Sequence, residues 1–232
     1  RIDAAQLKDS LQYHWNKLNK QNLYAMMNVS SSHDAPRLLT DFYNPNDYKY
    51  HANPVENAEY KTGKPDKETY TRLALYLTHL FTTIGAPQIW NGEEMGMWGA
   101  DDPFGRKPLW WKELKFEPEN RNNISNKKPD YDKVAFNQNT FNLYKRLIKI
   151  RKDNPALVEG ELDFIYAQSN MLAYKRYTNN NEIIVLFNLE SDSRTFNVPE
   201  SSYIDLLTGQ LHSCNNIRVK SLSAMILKKT GK

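Results

Sequence analysis

The sequence predicts an α/β region followed by an all-β region, with the change close to Pro155. Before Pro155, stretches with apolar residues at helical spacing alternate with short, continuously apolar runs, in the order helix, strand, helix, strand. After Gly160, short apolar runs recur about every ten residues and are separated by turn-rich clusters such as "TNNNE" and "VPESS". We therefore expect an α/β domain at residues 1–156 and a small antiparallel β-sandwich at residues 157–232.

The α/β region opens with a helix whose apolar positions include Leu7, Leu11 and Trp15. A buried strand is predicted directly after it, at residues 23–29, and a second at residues 86–90. Because buried strands that alternate with helices form parallel sheets, we expect these two strands to be parallel.

Two further helices are predicted around the second strand. The first has Asp66 as its N-cap and ends before Gly85. Its apolar face is formed by Leu73, Leu77, Leu80 and Phe81. The second is the amphipathic stretch "FNLYKRLIKIRKDNP", which Pro155 stops because proline cannot continue a helix.

The all-β region contains seven strand-like runs. They read "ELDFIYA", "MLAYKRY", "EIIVLFNL", "SRTFNV", "YIDLL", "IRVK" and "SAMILKK". Short runs with turn residues between them are typical of antiparallel sheets, which is why we expect a sandwich here.

Composition excludes several classes of function. The 31 basic and 27 acidic residues are spread along all 232 positions, so the net charge of +4 predicts no nucleic-acid partner. No apolar run approaches the roughly 20 residues of a membrane span. Cys214 is the only cysteine, which rules out an intrachain disulfide. No cluster has metal-ligand spacing, and we expect neither a metal nor a cofactor.

The stretch "SSSHDAPR" places His33 and Asp34 side by side after the first predicted strand. Two interpretations are open. In the first, Asp34 caps the loop by accepting backbone amide hydrogens and His33 is an ordinary surface side chain. In the second, the pair belongs to an active site, because barrel enzymes place their chemistry at the carboxyl ends of parallel strands.

Two long motifs resemble one family. "NVSSSHDAPRLL" is similar to the strand-seven motif of the α-amylase family of retaining glycoside hydrolases, in its neopullulanase and cyclomaltodextrinase-like branch. "RLALYLTHLFTTIGAPQIWNGEEMGMWGADDPFGRKPLWW" resembles the seventh helix, eighth strand and following loop of that branch, and "LIKIRKDNPALVEGEL" resembles the eighth helix and its exit into the C-terminal β-domain. The resemblance covers essentially the whole chain and implies the C-terminal part of a (β/α)8 TIM barrel, from helix six to helix eight, plus the β-sandwich domain.

The resemblance implies a role for each matching polar residue. Asp34 takes the place of the family's third carboxylate, which stabilises the oxocarbenium-like transition state, and His33 would donate a hydrogen bond to the same sugar. Asp102 and Arg106 match the loop pair that contacts a glucose further along the non-reducing side. The alternative for this pair is a loop salt bridge without a ligand.

Two more residues are assigned supporting roles. Arg37 either orients Asp34 or caps the strand end. Glu94 matches the glutamate at the end of strand eight and is expected to support the pocket from beneath. Glu93 and Glu94 should point in different directions, because they are adjacent in the chain.

The chain departs from the family pattern in two respects. Trp90 and Asn91 stand where the branch usually has two tyrosines, which puts the wall of the pocket in doubt. The nucleophile and general acid of a retaining enzyme, about 5 Å apart, follow strands four and five in this family, and neither strand precedes Asp34 here. We therefore expect a C-terminal segment that is inactive alone and needs the missing N-terminal part of the barrel.

The expected partner is an α-glucan oligosaccharide derived from starch, and the complete enzyme could form a homodimer. Two other functions stay open: a carbohydrate-binding module that uses the sandwich, and a noncatalytic structural relative that has lost the chemistry. Cellular location is left open, with the periplasm or the exterior favoured over the cytoplasm.

Overall fold

The computed structural model describes residues 2–122, 128–213 and 215–230, so Cys214 lies outside the described residues. The chain forms two units that alternate along the sequence. The first contains Arg1–Asn28, Leu75–Pro87 and Arg146–Lys232, and the second contains Val29–Ala74 and Gln88–Lys145. The predicted domain boundary after residue 156 follows chain order instead, and it stays a prediction.

The first unit opens with helix α1, Ala4–Trp15, as predicted. Asp3 caps it: the Asp3 carboxylate accepts from the Gln6 amide at 2.8 Å, and the Asp3 amide donates back to the Gln6 side chain at 3.0 Å. This reciprocal pair satisfies two amide groups that the helix itself leaves without partners.

The strand predicted at residues 23–29 was wrong in most of its length. Helix α2 occupies Lys20–Ala25, because Asn19 accepts a hydrogen bond from the Asn22 amide and starts a helix there. Strand β1 is only Met27–Asn28, and strand β2, predicted at residues 86–90, is only Ala86–Pro87. The two pair in parallel, as expected, but Pro87 has no amide hydrogen with which to extend the ladder.

Four more helices follow, two of which were predicted. Helix α3, Leu38–Tyr43, was not predicted. Helix α4, Lys67–Thr82, begins after Asp66, whose carboxylate accepts from the Thr69 amide, and its four predicted apolar residues are buried. Helix α5, Gln138–Asp153, ends before Pro155 as predicted, and Pro155 then starts the short helix α6, Pro155–Val158. A 3-10 turn at Lys49–His51 and a hairpin of β3, Glu119–Asn120, with β4, Tyr131–Asp132, lie in the second unit.

The remaining strands are antiparallel, and all seven predicted runs contain one. They are β5 Glu161–Gln168, β6 Met171–Tyr177, β7 Glu182–Asn188, β8 Arg194–Asn197, β9 Ser202–Asp205, β10 Leu211–Ser213, β11 Asn216–Val219 and β12 Ser223–Lys229. A six-stranded sheet has the order β10-β9-β12-β7-β6-β5, and β11 pairs with β8 in a second sheet. Strand β10 was not predicted. Side chains of both sheets, including Leu186, Phe196 and Ile217, form one buried apolar core.

Two arginines bind the turn between α4 and β2 in the first unit. The buried Arg176 guanidinium donates to the carbonyl oxygens of Thr82 at 2.6 Å, Thr83 at 2.7 Å and Gly160 at 2.9 Å. Arg151 donates to the carbonyl oxygens of Phe81 at 2.9 Å and Gly85 at 2.6 Å. The carbonyl groups at the end of α4, which the helix cannot satisfy, therefore find cationic donors.

Gly85 is required in that turn, where its φ is +94° and a Cβ would lie 2.8 Å from the Met26 carbonyl oxygen. Among the described residues, no helix has the length and apolar character needed to cross a membrane.

Candidate functional site

His33, Asp34, Asp102 and Arg106 lie together in the second unit, with Arg106 at the centre. Its Nη2 lies 3.2 Å from Asp34 Oδ1, and its Nε lies 2.7 Å from Asp102 Oδ1. The same Nε donates to the His33 carbonyl oxygen at 3.3 Å. Sequence reasoning predicted the Asp102–Arg106 pair but did not predict that Arg106 also contacts Asp34.

The carboxylate of Asp34 faces two side chains. Its Oδ2 lies 3.3 Å from His33 Nε2, and its Oδ1 accepts from Arg106. The loop amide bond is made by Ser32, whose hydroxyl accepts from the Asp34 amide at 3.2 Å. The carboxylate therefore contacts an imidazole and a guanidinium, and the choice between the two interpretations of "SSSHDAPR" stays a prediction.

The four side chains are exposed: 67% of His33, 59% of Asp34, 43% of Asp102 and 49% of Arg106. Ion pairs as exposed as these contribute little to folding stability. They do present carboxylate, imidazole and guanidinium groups side by side, a set suited to the hydroxyl groups of a sugar. A cavity of about 870 Å³ in the same unit is lined by other residues, including Tyr43 and Trp110.

Arg37 is buried, and its guanidinium donates to two neighbouring loops. Its Nε donates to the Gly105 carbonyl oxygen and its Nη1 to the Asn91 carbonyl oxygen, both at 3.1 Å. Its guanidinium carbon lies 3.9 Å from the centre of the Trp90 ring. Burial lowers the pKa of Arg37, and the Glu93 and Glu94 carboxylates act against that shift. These bonds join Arg37 to the neighbouring loops, and its role, either orienting Asp34 or capping the strand end, stays a prediction.

Glu93, not Glu94, occupies the buried position beneath these loops. Its Oε1 accepts from the Ser31 hydroxyl at 3.1 Å and from the Leu38 amide at 3.3 Å, and lies 3.9 Å from Arg37 Nη1. Glu94 is only half-buried and accepts from the Gly92 amide at 2.9 Å. The two carboxylates do point differently, as expected, but a motif match cannot tell which of two adjacent glutamates turns inward. The supporting role of Glu94 stays a prediction.

The stability of this unit should depend on pH through Glu93. Burial raises the pKa of Glu93 from 4.5 to about 7, against the opposing effects of Arg37, Leu38 and Ser31. Between these two values the folded chain binds a proton that the unfolded chain has released, so the free energy of unfolding falls as pH rises from about 4.5 to about 7. The loss attributable to Glu93 is about 3 kcal/mol. Urea denaturation of the chain and of Glu93→Gln across this range should show that the variant lacks this slope, and equal slopes would contradict the assignment.

Three tryptophans of the second unit differ in burial: Trp98 and Trp110 are buried, and Trp111 is exposed. Trp98 and Trp110 are each 2% exposed and pack edge to face with ring centres 4.4 Å apart, which is a structural arrangement. Trp111 is 51% exposed. Among the described residues, no group of three or more His, Cys, Asp or Glu side chains is arranged to hold a metal ion.

Comparison with known proteins gives relatives over most of the chain. It is 29% identical over 185 residues to a cyclomaltodextrinase of Thermoanaerobacter pseudethanolicus, covering 80% of this chain and 24% of that protein. It is 27% identical over 198 residues to neopullulanase 2 of Thermoactinomyces vulgaris, covering 82% of this chain and 26% of that protein. The debranching enzyme of Nostoc punctiforme has a similar fold, with a TM-score of 0.64 and 22% identity over 98% of this chain and 39% of that structure. No family model matches the sequence.

These matches confirm the resemblance to cyclomaltodextrinases and neopullulanases. The chain spans about a quarter of the length of these curated relatives.

Proposed function

Because the chain is related over most of its length to cyclomaltodextrinases and neopullulanases, we propose that it is the C-terminal part of a retaining glycoside hydrolase of the α-amylase family. The proposed reaction is the cleavage of α-1,4-glucosidic bonds in starch-derived oligosaccharides. The single observation that supports this most is the convergence of His33, Asp34, Asp102 and Arg106 through contacts of 2.7 to 3.3 Å. All four are residues that the resemblance assigns to substrate binding or catalysis.

In the proposed mechanism, Asp34 acts on the reacting sugar by charge. The transition state of glycoside hydrolysis is cationic and flattened at the ring, so a fixed carboxylate stabilises it more than the ground state. Arg106 holds one oxygen of Asp34, and this contact fixes the direction of the carboxylate. His33 donates to a hydroxyl of the same sugar, and Asp102 with Arg106 binds a sugar further along the chain.

The proposed fold of the intact enzyme places this chain from helix six to helix eight of a (β/α)8 barrel, with residues 157–232 as the C-terminal domain. The nucleophile and general acid would come from the loops after strands four and five, upstream of the present sequence. The high exposure of the four candidate residues supports this arrangement, because a glycosidase site needs walls that exclude water.

The chain alone is expected to hydrolyse no α-glucan, since a carboxylate that only stabilises the transition state supplies neither the nucleophile nor the acid. The measurement is release of reducing sugar from maltoheptaose by the purified chain, beside the intact enzyme as a positive control. Hydrolysis by the chain that disappears in Asp34→Asn would contradict the proposal and place the two missing carboxylates within this sequence.

A further inference from the structure

One carboxylate oxygen holds both ends of the segment that carries His33 and Asp34. Glu93 Oε1 accepts from the Ser31 hydroxyl before that pair and from the Leu38 amide after it. Glu93 is 1% exposed and Ser31 is 3% exposed, so water does not compete for these bonds. The segment 31–38 is therefore closed on a single buried acceptor, and the exposed pair lies between the two attachment points.

Arg37 extends the same network to the loop of Asp102 and Arg106. It belongs to segment 31–38, and its guanidinium donates to the carbonyl oxygen of Gly105, the residue directly before Arg106. It also donates to the Asn91 carbonyl oxygen, two residues before Glu93. The backbone adds one more link, because the Arg37 amide donates to the Gly99 carbonyl oxygen at 3.0 Å.

We propose that Glu93 and Arg37 are positioning residues, which hold the His33–Asp34 segment and the Asp102–Arg106 segment in one fixed arrangement. The inference rests on the proposed function and adds to it two residues that contact neither the sugar nor the reacting atoms. Their effect on the reaction passes through the placement of Asp34.

The charge of Glu93 decides how firmly the segment is held. An ionised carboxylate accepts stronger hydrogen bonds than a neutral one and attracts the Arg37 guanidinium 3.9 Å away. Arg37 and Glu94 are the charged groups that act on it. Burial of the ionised form outweighs these contacts and places the pKa of Glu93 at about 7, so the residue changes charge within the ordinary working range of an enzyme. Placement of Asp34 should therefore become less firm as pH rises through that value.

Glu93→Gln is the test variant, since glutamine keeps the accepting oxygen and permanently imitates the protonated acid. The intact enzyme and the variant are assayed for kcat and KM on maltoheptaose between pH 5.5 and 8.5. The ratio of wild-type to variant kcat/KM is expected to be close to one at pH 5.5 and to fall about tenfold by pH 8.5, with a midpoint near 7, mostly in kcat. Because both proteins have the same catalytic groups, the pH dependence that comes from those groups cancels in the ratio.

Asp132→Asn is the matched control. Asp132 is 6% exposed, accepts from the Lys64 amide at 2.9 Å and pairs with Arg121, so it is a second buried carboxylate of the same unit bonded to an amide and an arginine. Its loss should lower the melting temperature without making the activity ratio depend on pH. If Glu93→Gln does not fold, Ser31→Ala serves instead: it removes a bond to Oε1 that favours the ionised carboxylate, and should therefore give a rise in the ratio of about threefold.

The outcomes separate the inference from the function on which it rests. If the wild-type enzyme is active and the ratio of wild-type to Glu93→Gln kcat/KM stays flat across the pH range, the positioning role is overturned and the proposed function stands. The same holds for the ratio to Ser31→Ala where that variant is used. A wild-type intact enzyme that releases no sugar from maltoheptaose or from a cyclomaltodextrin at any pH overturns both. A ratio that falls through pH 7 for Glu93→Gln and stays flat for Asp132→Asn supports the proposal, and a ratio that rises for Glu93→Gln overturns it.

Discussion

Replacing Asp34 with asparagine in the intact enzyme is expected to lower kcat/KM by a factor of about 100 or more. Asparagine keeps the size of the side chain and one accepting oxygen, but it removes the charge that would face the cationic transition state. A well-placed electrostatic stabiliser contributes about 3 kcal/mol or more to the barrier. Since the effect belongs to the transition state, kcat should fall as much as kcat/KM, and KM should change little. Initial rates on maltoheptaose would measure both constants.

Asp130→Asn is the control for Asp34→Asn. Asp130 is also an exposed aspartate paired with an arginine, with 58% of its side chain exposed and its Oδ2 3.3 Å from Arg121 Nε, and it has no proposed contact with the sugar. Its replacement should leave kcat unchanged. His33→Ala should cost about fivefold, because a neutral hydrogen-bond donor contributes about 1 kcal/mol. An Asp34→Asn enzyme with normal kcat and a lower melting temperature would show that Asp34 serves the loop and not the reaction.

The second large effect is on stability: Arg176→Met should lower the free energy of unfolding by about 3 kcal/mol. Methionine fills part of the volume but leaves the Thr82 carbonyl oxygen without its arginine donor in a buried site. The Thr83 and Gly160 carbonyl oxygens each lose one donor and keep another, from Arg151 and from the Tyr24 hydroxyl. For a chain of this size the melting temperature should fall by about 6 to 12 °C. Differential scanning calorimetry of wild type and variant at the same pH provides the measurement.

Arg146→Met is the matched arginine control, since Arg146 is exposed and donates to the Leu207 carbonyl oxygen at 2.7 Å. Its replacement should move the melting temperature by less than about 2 °C, as for other surface substitutions. Equal shifts for the two variants would mean that burial of the Arg176 guanidinium is not what stabilises the turn.

Much of the secondary structure could be predicted because local signals decide it. The seven strand-like runs and the helix started by Asp66 were placed by periodicity, turn residues and caps, all of which act within a few residues of each other. The run at residues 23–29 was misjudged for the same reason. Its apolar composition suits a buried strand, yet the cap at Asn19, whose side-chain oxygen accepts from the Asn22 amide, converts its first half to helix α2.

The candidate site was only partly predictable. Motif resemblance selected His33, Asp34, Asp102 and Arg106, but the bond between Arg106 and Asp34 joins residues 72 positions apart and has no local signature. Resemblance also favoured Glu94 over Glu93, because a sequence match fixes a position in a motif and not the direction of a side chain.

The sequence by itself determined most of the elements, their order and the residue types of the candidate site, since composition, periodicity and motif are properties of neighbours in the chain. Only the tertiary structure decided that Glu93 turns inward to bind Ser31 and Leu38, and that Arg37 binds Gly105 and Asn91 and does not contact Asp34. The physical reason is burial. A carboxylate or guanidinium removed from water must find its partners wherever the fold brings them. The partners of Arg37 and Glu93 lie on other loops, 54 to 68 positions away in the sequence.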